Sequence, residues 1–409
     1  MVLPRRTAIT VFLAFAFAYF LSALIRAITA TLSPELTQEF TLQARDLGLL
    51  AGGYFLGFSA TQLPLGGWLD RYGPKRVQVS FLSVAVLGCL AFSVATSFSG
   101  LLAARVLCGV GLSACLMAPL TGFRRWFLPA TQTRSNAWML MTGSTGMVAS
   151  TLPVQWALPL VGWRPLFLTL GILLVVSIAV VIWRVPHWEH PIAPSSAKLQ
   201  TSGLAQVWRN TYFQRLAPLG FFCYGGLLAV QTLWAGPWME KIAGFSPLEA
   251  ATGLFWINIM MLCTFWTWGM VGPWLAHHGL QTDRLITWGL PSSFVVLGVI
   301  IGAADDLGGA TGAWFALYCM TCSFVTLSQP AIGMMFPPEL AGRALTAFNL
   351  VIFLGVFVIQ WGIGLAIDGL MALGWSQDQA YRVAFAAFLM CCVFSFVYFR
   401  RGAGHNQTA

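Results

Sequence analysis

Two arginines, Arg26 and Arg105, stand inside long apolar stretches of the chain. An ionised group is costly in such surroundings unless it meets a partner. The planar guanidinium fork donates paired, charge-assisted hydrogen bonds to a carboxylate, nitrate or phosphate. The competing chemistry is structural: a long side chain can snorkel to the nearest polar surface, or Arg105 can pin backbone carbonyls. Polar and aromatic residues repeat at helical spacing near these arginines and elsewhere. Tyr19, Ser22 and Arg26 share one face, as do Tyr54 and Gln62, then Tyr224, Gln231, Trp234 and Trp238, then Tyr318, Cys322 and Gln329. A wet cavity between helices needs such stripes, and ordinary helix–helix hydrogen bonding produces them too. The candidate solute-binding set is therefore Arg26, Arg105, Tyr19, Ser22, Tyr54, Gln62, Tyr224, Gln231, Trp234, Tyr318 and Gln329.

Other chemistries find little support. Every Asp and Glu maps to a loop or to the end of an apolar stretch, and every His to a polar segment. No carboxylate or imidazole stands mid-stretch to carry a proton, so a coupling proton would have to use Glu35, Asp46 or the solute itself. His187 with His190, and His277 with His278, lack Cys or acidic partners in close pattern, and no metal site is expected. The nine Cys all fall in apolar stretches and read as small core residues. No nucleophile–base set or nucleotide motif appears, so neither an enzyme nor a cofactor is expected.

The elements that must position these residues are transmembrane helices. The chain is 58% hydrophobic and 9% charged. A soluble domain carries about 25% charged residues. A bilayer crossing takes about 20 apolar residues. About twelve spans are expected, near 8–31, 46–69, 76–97, 100–121, 136–159, 165–184, 214–238, 250–272, 284–303, 309–331, 345–367 and 381–399. The first follows Arg5 and Arg6 and reads as a retained span rather than a cleaved signal. The net charge of +9 raises nucleic acid as a partner, but topology explains it better. Of the 22 Lys and Arg, Arg26 and Arg105 are within spans, Arg45, Arg164, Lys241 and Arg382 fall on one side, and the other 16 fall on the opposite side. The positive-inside rule then puts both termini and the loop 185–212 in the cytoplasm.

Between spans two and three lies Gly66-Gly67-Trp68-Leu69-Asp70-Arg71-Tyr72-Gly73-Pro74-Lys75-Arg76. This glycine-broken basic turn resembles the signature loop of the major facilitator superfamily in both motif and position. Arg105-Val-Leu-Cys-Gly109-Val-Gly111 resembles the superfamily's R-x-x-x-G-x-G element, and Gly162-Trp163-Arg164 its G-W-R turn. Span five, with Gly143, Gly146 and Pro153, resembles the antiporter element only in part, because the Gly-Pro pair is missing. The resemblance implies an all-α membrane protein, two six-helix bundles in parallel repeat, with spans one and four on one cavity. It also implies that Asp70 helps hold the inner gate shut. The gating set is Gly66, Asp70, Arg71, Gly73 and Arg76, with Arg124 and Arg125 at the inner end of span four.

The chain carries its own trace of the repeat. A shift of 206 residues lays Gly66, Trp68, Leu69 and Gly73 on Gly272, Trp274, Leu275 and Gly279. The copy has lost its charges, with Ala276 and His277 in place of Asp70 and Arg71. The expected division is a bundle over 1–184, a linker over 185–212 and a bundle over 213–409. Within the linker, 203–210 reads equally as a short interfacial helix, with Trp208 at headgroup depth, or as a flexible tether. The resulting expectation is a monomeric transporter in a bacterial cytoplasmic membrane. It would move a small organic or inorganic anion by alternating access, with the lipid bilayer as its surroundings. The alternative is efflux of a neutral or amphiphilic compound along an aromatic wall of Trp234, Trp238 and Trp256.

Overall fold

The computed structural model describes residues 3–187 and 204–401. Among the described residues all regular structure is helical. The chain divides into two compact units, Met1–Leu32 with Gly53–Pro194, and Ser33–Gly52 with Ser195–Ala409. Most of the 185–212 linker, including His190, lies outside the described residues.

The first half of the chain forms α1 (Arg5–Ala27), α2 (Thr29–Phe40), α3 (Ala44–Ala60), α4 (Gln62–Val94), α5 (Phe98–Leu112), α6 (Ala114–Trp126), α7 (Pro129–Ala149), α8 (Leu152–Val161) and α9 (Trp163–Arg184). Ten helices among the described residues are long and apolar enough to cross a bilayer. The two expected spans that fall short, the second and the fifth, are interrupted helices. α3 stops at Thr61, whose hydroxyl donates to the Phe58 carbonyl at 2.9 Å and bonds Ser113 Oγ at 2.8 Å. Such local bonds compete with the helix ladder, and Pro64 withdraws the N–H that Ala60 would have received. The fifth span breaks in the same way. Ser150 and Thr151 bond back to the Met147 and Val148 carbonyls, and Pro153 follows two residues later.

The signature turn is tighter than the sequence implies. Helix runs up to it from both sides, and the one non-helical residue within α4 is Gly73, at φ 77° and ψ 162°. An L side chain is strained there, which is why glycine ends the motif's first limb. Pro74 then presets the next helix start. Trp68 on one limb packs against Phe81 on the other at 5.7 Å between ring centres.

Glycines set how closely the first unit packs. A methyl group added at Gly109 would run into the Tyr54 carbonyl, and one at Gly57 into the Val106 carbonyl. α3 and α5 therefore meet backbone to backbone. Gly111 and Gly88 do the same between α5 and α4, against Ala85 and Cys108. Gly143 and Gly146 of α7 lie against the Tyr19 ring and the Phe20 carbonyl of α1. Lipid offers no hydrophobic drive between helices, so close van der Waals contact must hold them.

The second half forms α10 (204–209), α11 (Thr211–Lys241), α12 (Pro247–His277), α13 (Thr282–Gly302), α14 (Ala304–Met335), α15 (Pro338–Ala372) and α16 (Gln377–Arg401). α10 occupies the expected 203–210 stretch, with Trp208 against Phe213 at 5.1 Å. α11 contains two π turns, Gly220–Tyr224 and Val230–Trp234. Gly279 takes φ 75°, matching Gly73 at the position the internal shift assigns it.

Ser33–Gly52 is packed within the second unit. The Asp368 carboxylate accepts the backbone N–H groups of Ala44 at 3.1 Å and Arg45 at 2.8 Å. It thus caps the start of α3, where four N–H groups have no partner in the helix itself and a negative charge is favoured. Methyl groups at Gly48 and Gly364 would meet the Gln360 and Ala44 carbonyls. One expectation about the cysteines needs correcting. Cys263 is exposed and Cys391 is half-exposed, because each sits on a helix face that the unit leaves uncovered.

Candidate solute site

In the first unit Arg105 has no solvent exposure. Its Nη1 donates to the Ile25 carbonyl at 2.8 Å and its Nη2 to the Arg26 carbonyl at 3.5 Å. These are among the last carbonyls of α1, which lack helical partners and favour a nearby cation. The guanidinium also lies 5.1 Å from the centre of the Tyr54 ring, in cation–π range. Arg26 is half-buried, and its Nε is buried with no partner among the described residues. Ser22 donates to the Leu112 carbonyl at 3.4 Å. Tyr19 is buried against Gly143. Gln62 donates through Nε2 to the Phe58 carbonyl at 3.2 Å. Arg26, Arg105, Tyr54 and Ser22 thus come together around the end of α1 and the middle of α5. Asp70 is the one acidic residue among the described residues of this unit.

The second unit has its own polar pairs. Tyr224 Oη donates to Gln329 Oε1 at 3.5 Å, and Gln329 Nε2 to Asn349 Oδ1 at 2.6 Å. Gln231 donates to Asn258 at 3.0 Å. Trp234 donates through Nε1 to the Gln360 carbonyl at 3.1 Å, and the Gln360 amide reaches Thr232 at 3.0 Å. Tyr318 is buried and belongs to none of these pairs. Asn258, Asn349, Gln360 and Gln78 escape the sequence reading, although each is an amide in an apolar span, Asn349 and Gln360 in the same one, which is the available signal. The aromatic wall is not formed as expected. Trp234 and Trp238 have 0% exposure and pack on Tyr381, whereas Trp256 is 53% exposed.

A cavity of about 930 Å³ opens in the second unit beside Arg45, Glu240, Lys241, Asp368 and Tyr381. Its lining carries both signs of charge, unlike the first unit's arginines. Glu35 stands in this unit half-buried, and burial raises its carboxyl pKa above the ordinary value while a backbone hydrogen bond pulls the other way.

Of the candidate gating residues, Gly66, Asp70, Arg71, Gly73 and Arg76 lie in the signature turn and Arg124 and Arg125 in the last turn of α6. Asp70, Arg71, Arg76 and Arg124 are exposed, Gly66 and Arg125 are half-buried, and the Arg71 guanidinium lies 5.2 Å from the Tyr72 ring centre.

This fold, with a glycine-turned charged loop and an intramembrane arginine, is that of a membrane transporter for small solutes. The sequence profile of the Major Facilitator Superfamily matches residues 15–360, and the chain belongs to that family. It is 30% identical to the 4-hydroxybenzoate transporter PcaK of Pseudomonas aeruginosa, over 88% of this chain and 85% of that one. It is 25% identical to a probable sulfoacetate transporter, SauU, of Cupriavidus necator, over 65% and 63% of the two chains. A hexuronate transporter of Escherichia coli K12 is 24% identical over 56% and 57%. Among solved structures, a bacterial homologue of the human lysosomal transporter Spinster superposes with a TM-score of 0.76 at 14% identity, covering 98% and 97% of the two chains. A D-xylose–proton symporter gives 0.75 at 12% identity, covering 95% and 97%. The protein is an integral membrane transporter of small molecules and not an enzyme.

Proposed function

We propose that this transporter carries a small organic anion across the cytoplasmic membrane of a bacterium by alternating access, with both termini in the cytoplasm. The observation that carries this is Arg26. Its buried Nε has no partner among the described residues, and it stands in a unit whose one described acid is the exposed Asp70 of the signature turn. A carboxylate on the solute supplies the missing charge and accepts the free N–H. Arg105 spends two of its nitrogens on the end of α1 and so holds Arg26 in place. The acids named for the relatives agree in sign. Efflux of neutral compounds has lost its support in the buried Trp234 and Trp238. The test is binding of 4-hydroxybenzoate, galacturonate and sulfoacetate against phenol and a quaternary amine, using the purified protein. Saturable binding of the neutral or cationic compounds alone would reject the anion reading.

The orientation and the gate can each be tested under this reading. Single cysteines at Ser195 and at Asp306 should show opposite accessibility to an impermeant maleimide in intact cells, with Asp306 labelled from outside. Labelling of Ser195 from outside reverses the orientation. Asp70→Asn should lower transport several-fold while leaving solute affinity nearly unchanged, because the residue would act on the gate rather than the solute. Its effect on melting should be small, since an exposed charge contributes about 0–1 kcal/mol. Transport rates measured in proteoliposomes at wild-type level would remove Asp70 from gating.

A further inference from the structure

We infer that Gln62 and Gln78 recognise a hydroxyl group on the transported acid, so that the first unit favours hydroxylated carboxylates over their unsubstituted counterparts. This rests on the acid-binding reading of Arg26 and adds a second contact to it.

Gln62 is 1% exposed. Its Nε2 donates to the Phe58 carbonyl. A carbonyl only accepts, so the amide cannot turn over, and Oε1 is left as an acceptor. That oxygen is buried and has no partner among the described residues. Gln78 is 0% exposed, donates through Nε2 to Cys115 Sγ at 3.3 Å, and leaves its own Oε1 buried without a partner among the described residues. A thiol can donate or accept weakly, so this amide can turn over, yet one end stays unpaired either way. Buried polar groups are almost always satisfied, and an exception calls for an explanation.

The two amides and Arg26 belong to one seam. Leu112, Ser113 and Cys115, at the junction of α5 and α6, are touched by Ser22, Thr61 and Gln78 in turn. Thr61 precedes Gln62, and Ser22 lies one turn from Arg26 on the same face of α1. A solute that carries its hydroxyl apart from its carboxylate, across an aromatic ring or along a sugar acid, can offer the two groups to different residues, whereas nitrate and acetate carry no hydroxyl to offer. A hydroxyl also donates and accepts, so it satisfies Gln62 Oε1 and either end of Gln78. A site built around such a bond rejects the analogue that lacks the hydroxyl, because the site's own polar atoms are then left unpaired.

The experiment uses the full-length purified protein with two matched pairs of probes, 4-hydroxybenzoate with benzoate and gluconate with hexanoate. Wild type should bind the hydroxylated member of at least one pair tenfold or more tightly. Gln62→Leu and Gln78→Leu should each lower that ratio at least fivefold, chiefly by weakening the hydroxylated acid. Equal affinity of wild type for both members of both pairs overturns the inference, even if a variant fails to fold. Equal weakening of both members by a variant makes that glutamine structural and overturns it also. Arg26→Ala separates the two readings. If it spares binding of every acid while the hydroxyl ratio stands, the carboxylate contact is wrong and the hydroxyl contact holds. If no acid binds to wild type, both fall.

Discussion

Arg26→Lys will keep the fold and its melting temperature and lose about 10- to 100-fold in affinity for the proposed acid substrate, and Arg26→Ala will lose more. Lysine keeps the positive charge, so the lost affinity isolates geometry from charge. The guanidinium presents Nε and Nη hydrogens in a rigid fork, and the Arg26 Nε is buried and unpartnered among the described residues. An ammonium is a point charge that cannot reproduce the fork. A hydrogen bond to a charged group is worth about 1.5–3 kcal/mol, which is the stated range of affinity. The fold should survive because, among the described residues, the Arg26 Nε holds no other element. The check is a binding isotherm on wild type and both variants, with melting recorded alongside. An Arg26→Lys variant that binds as tightly as wild type removes Arg26 from the site. Arg105 is the internal contrast: its guanidinium holds the Ile25 and Arg26 carbonyls, so Arg105→Ala should lower melting as well as affinity.

Gly109→Val will abolish folded protein in the membrane, and Gly109→Ala will lower the melting temperature sharply. A methyl at this position runs into the Tyr54 carbonyl and the backbone behind it. Backbone held by its own helix cannot move aside as a flexible side chain does, so α3 and α5 must separate. Separation also strips the contacts of Gly57 with Val106 and of the Arg105 guanidinium with Tyr54. Overpacking of this kind costs about 3 kcal/mol or more. Gly269→Ala serves as the control, since nothing lies within 4 Å of a methyl there, and alanine favours helix over glycine by about 1 kcal/mol. Detergent melting curves and expression of the three variants decide the matter. A Gly109→Ala protein that melts with wild type contradicts the packing.

The fold was legible because bilayer crossing imposes length and apolarity on every span, and because Gly73 and its basic neighbours mark a turn that only glycine makes. The breaks in spans two and five were not, since Thr61, Ser150 and Thr151 act through hydroxyl bonds to their own backbone while the apolar run continues past them. The candidate site was legible in part. Arg26 stands out as a lone charge, and its face with Ser22 comes from simple spacing. Arg105 was visible, but its attachment to the Ile25 and Arg26 carbonyls joins helices far apart in the chain, which spacing along one helix does not show. α11 carries two π turns, which a regular 3.6-residue spacing does not foresee. Trp234 and Trp238 are buried against Tyr381. Gln78 was passed over because it lies four residues beyond Pro74 and read as part of a span end.

The cap on α3 has a consequence for biogenesis. The N–H groups of Ala44 and Arg45 receive their acceptor from Asp368, 324 and 323 residues later in the chain. A ribosome making this protein therefore releases the start of α3 long before its cap exists. Gly48 likewise waits for the Gln360 carbonyl. The early part of the chain then enters the bilayer with one helix end provisionally satisfied by water or headgroups, and that end is settled only when α15 arrives. A fragment comprising the first half alone should leave Ser33–Gly52 open to protease while its other helices are protected, and adding the second half as a separate chain should restore that protection.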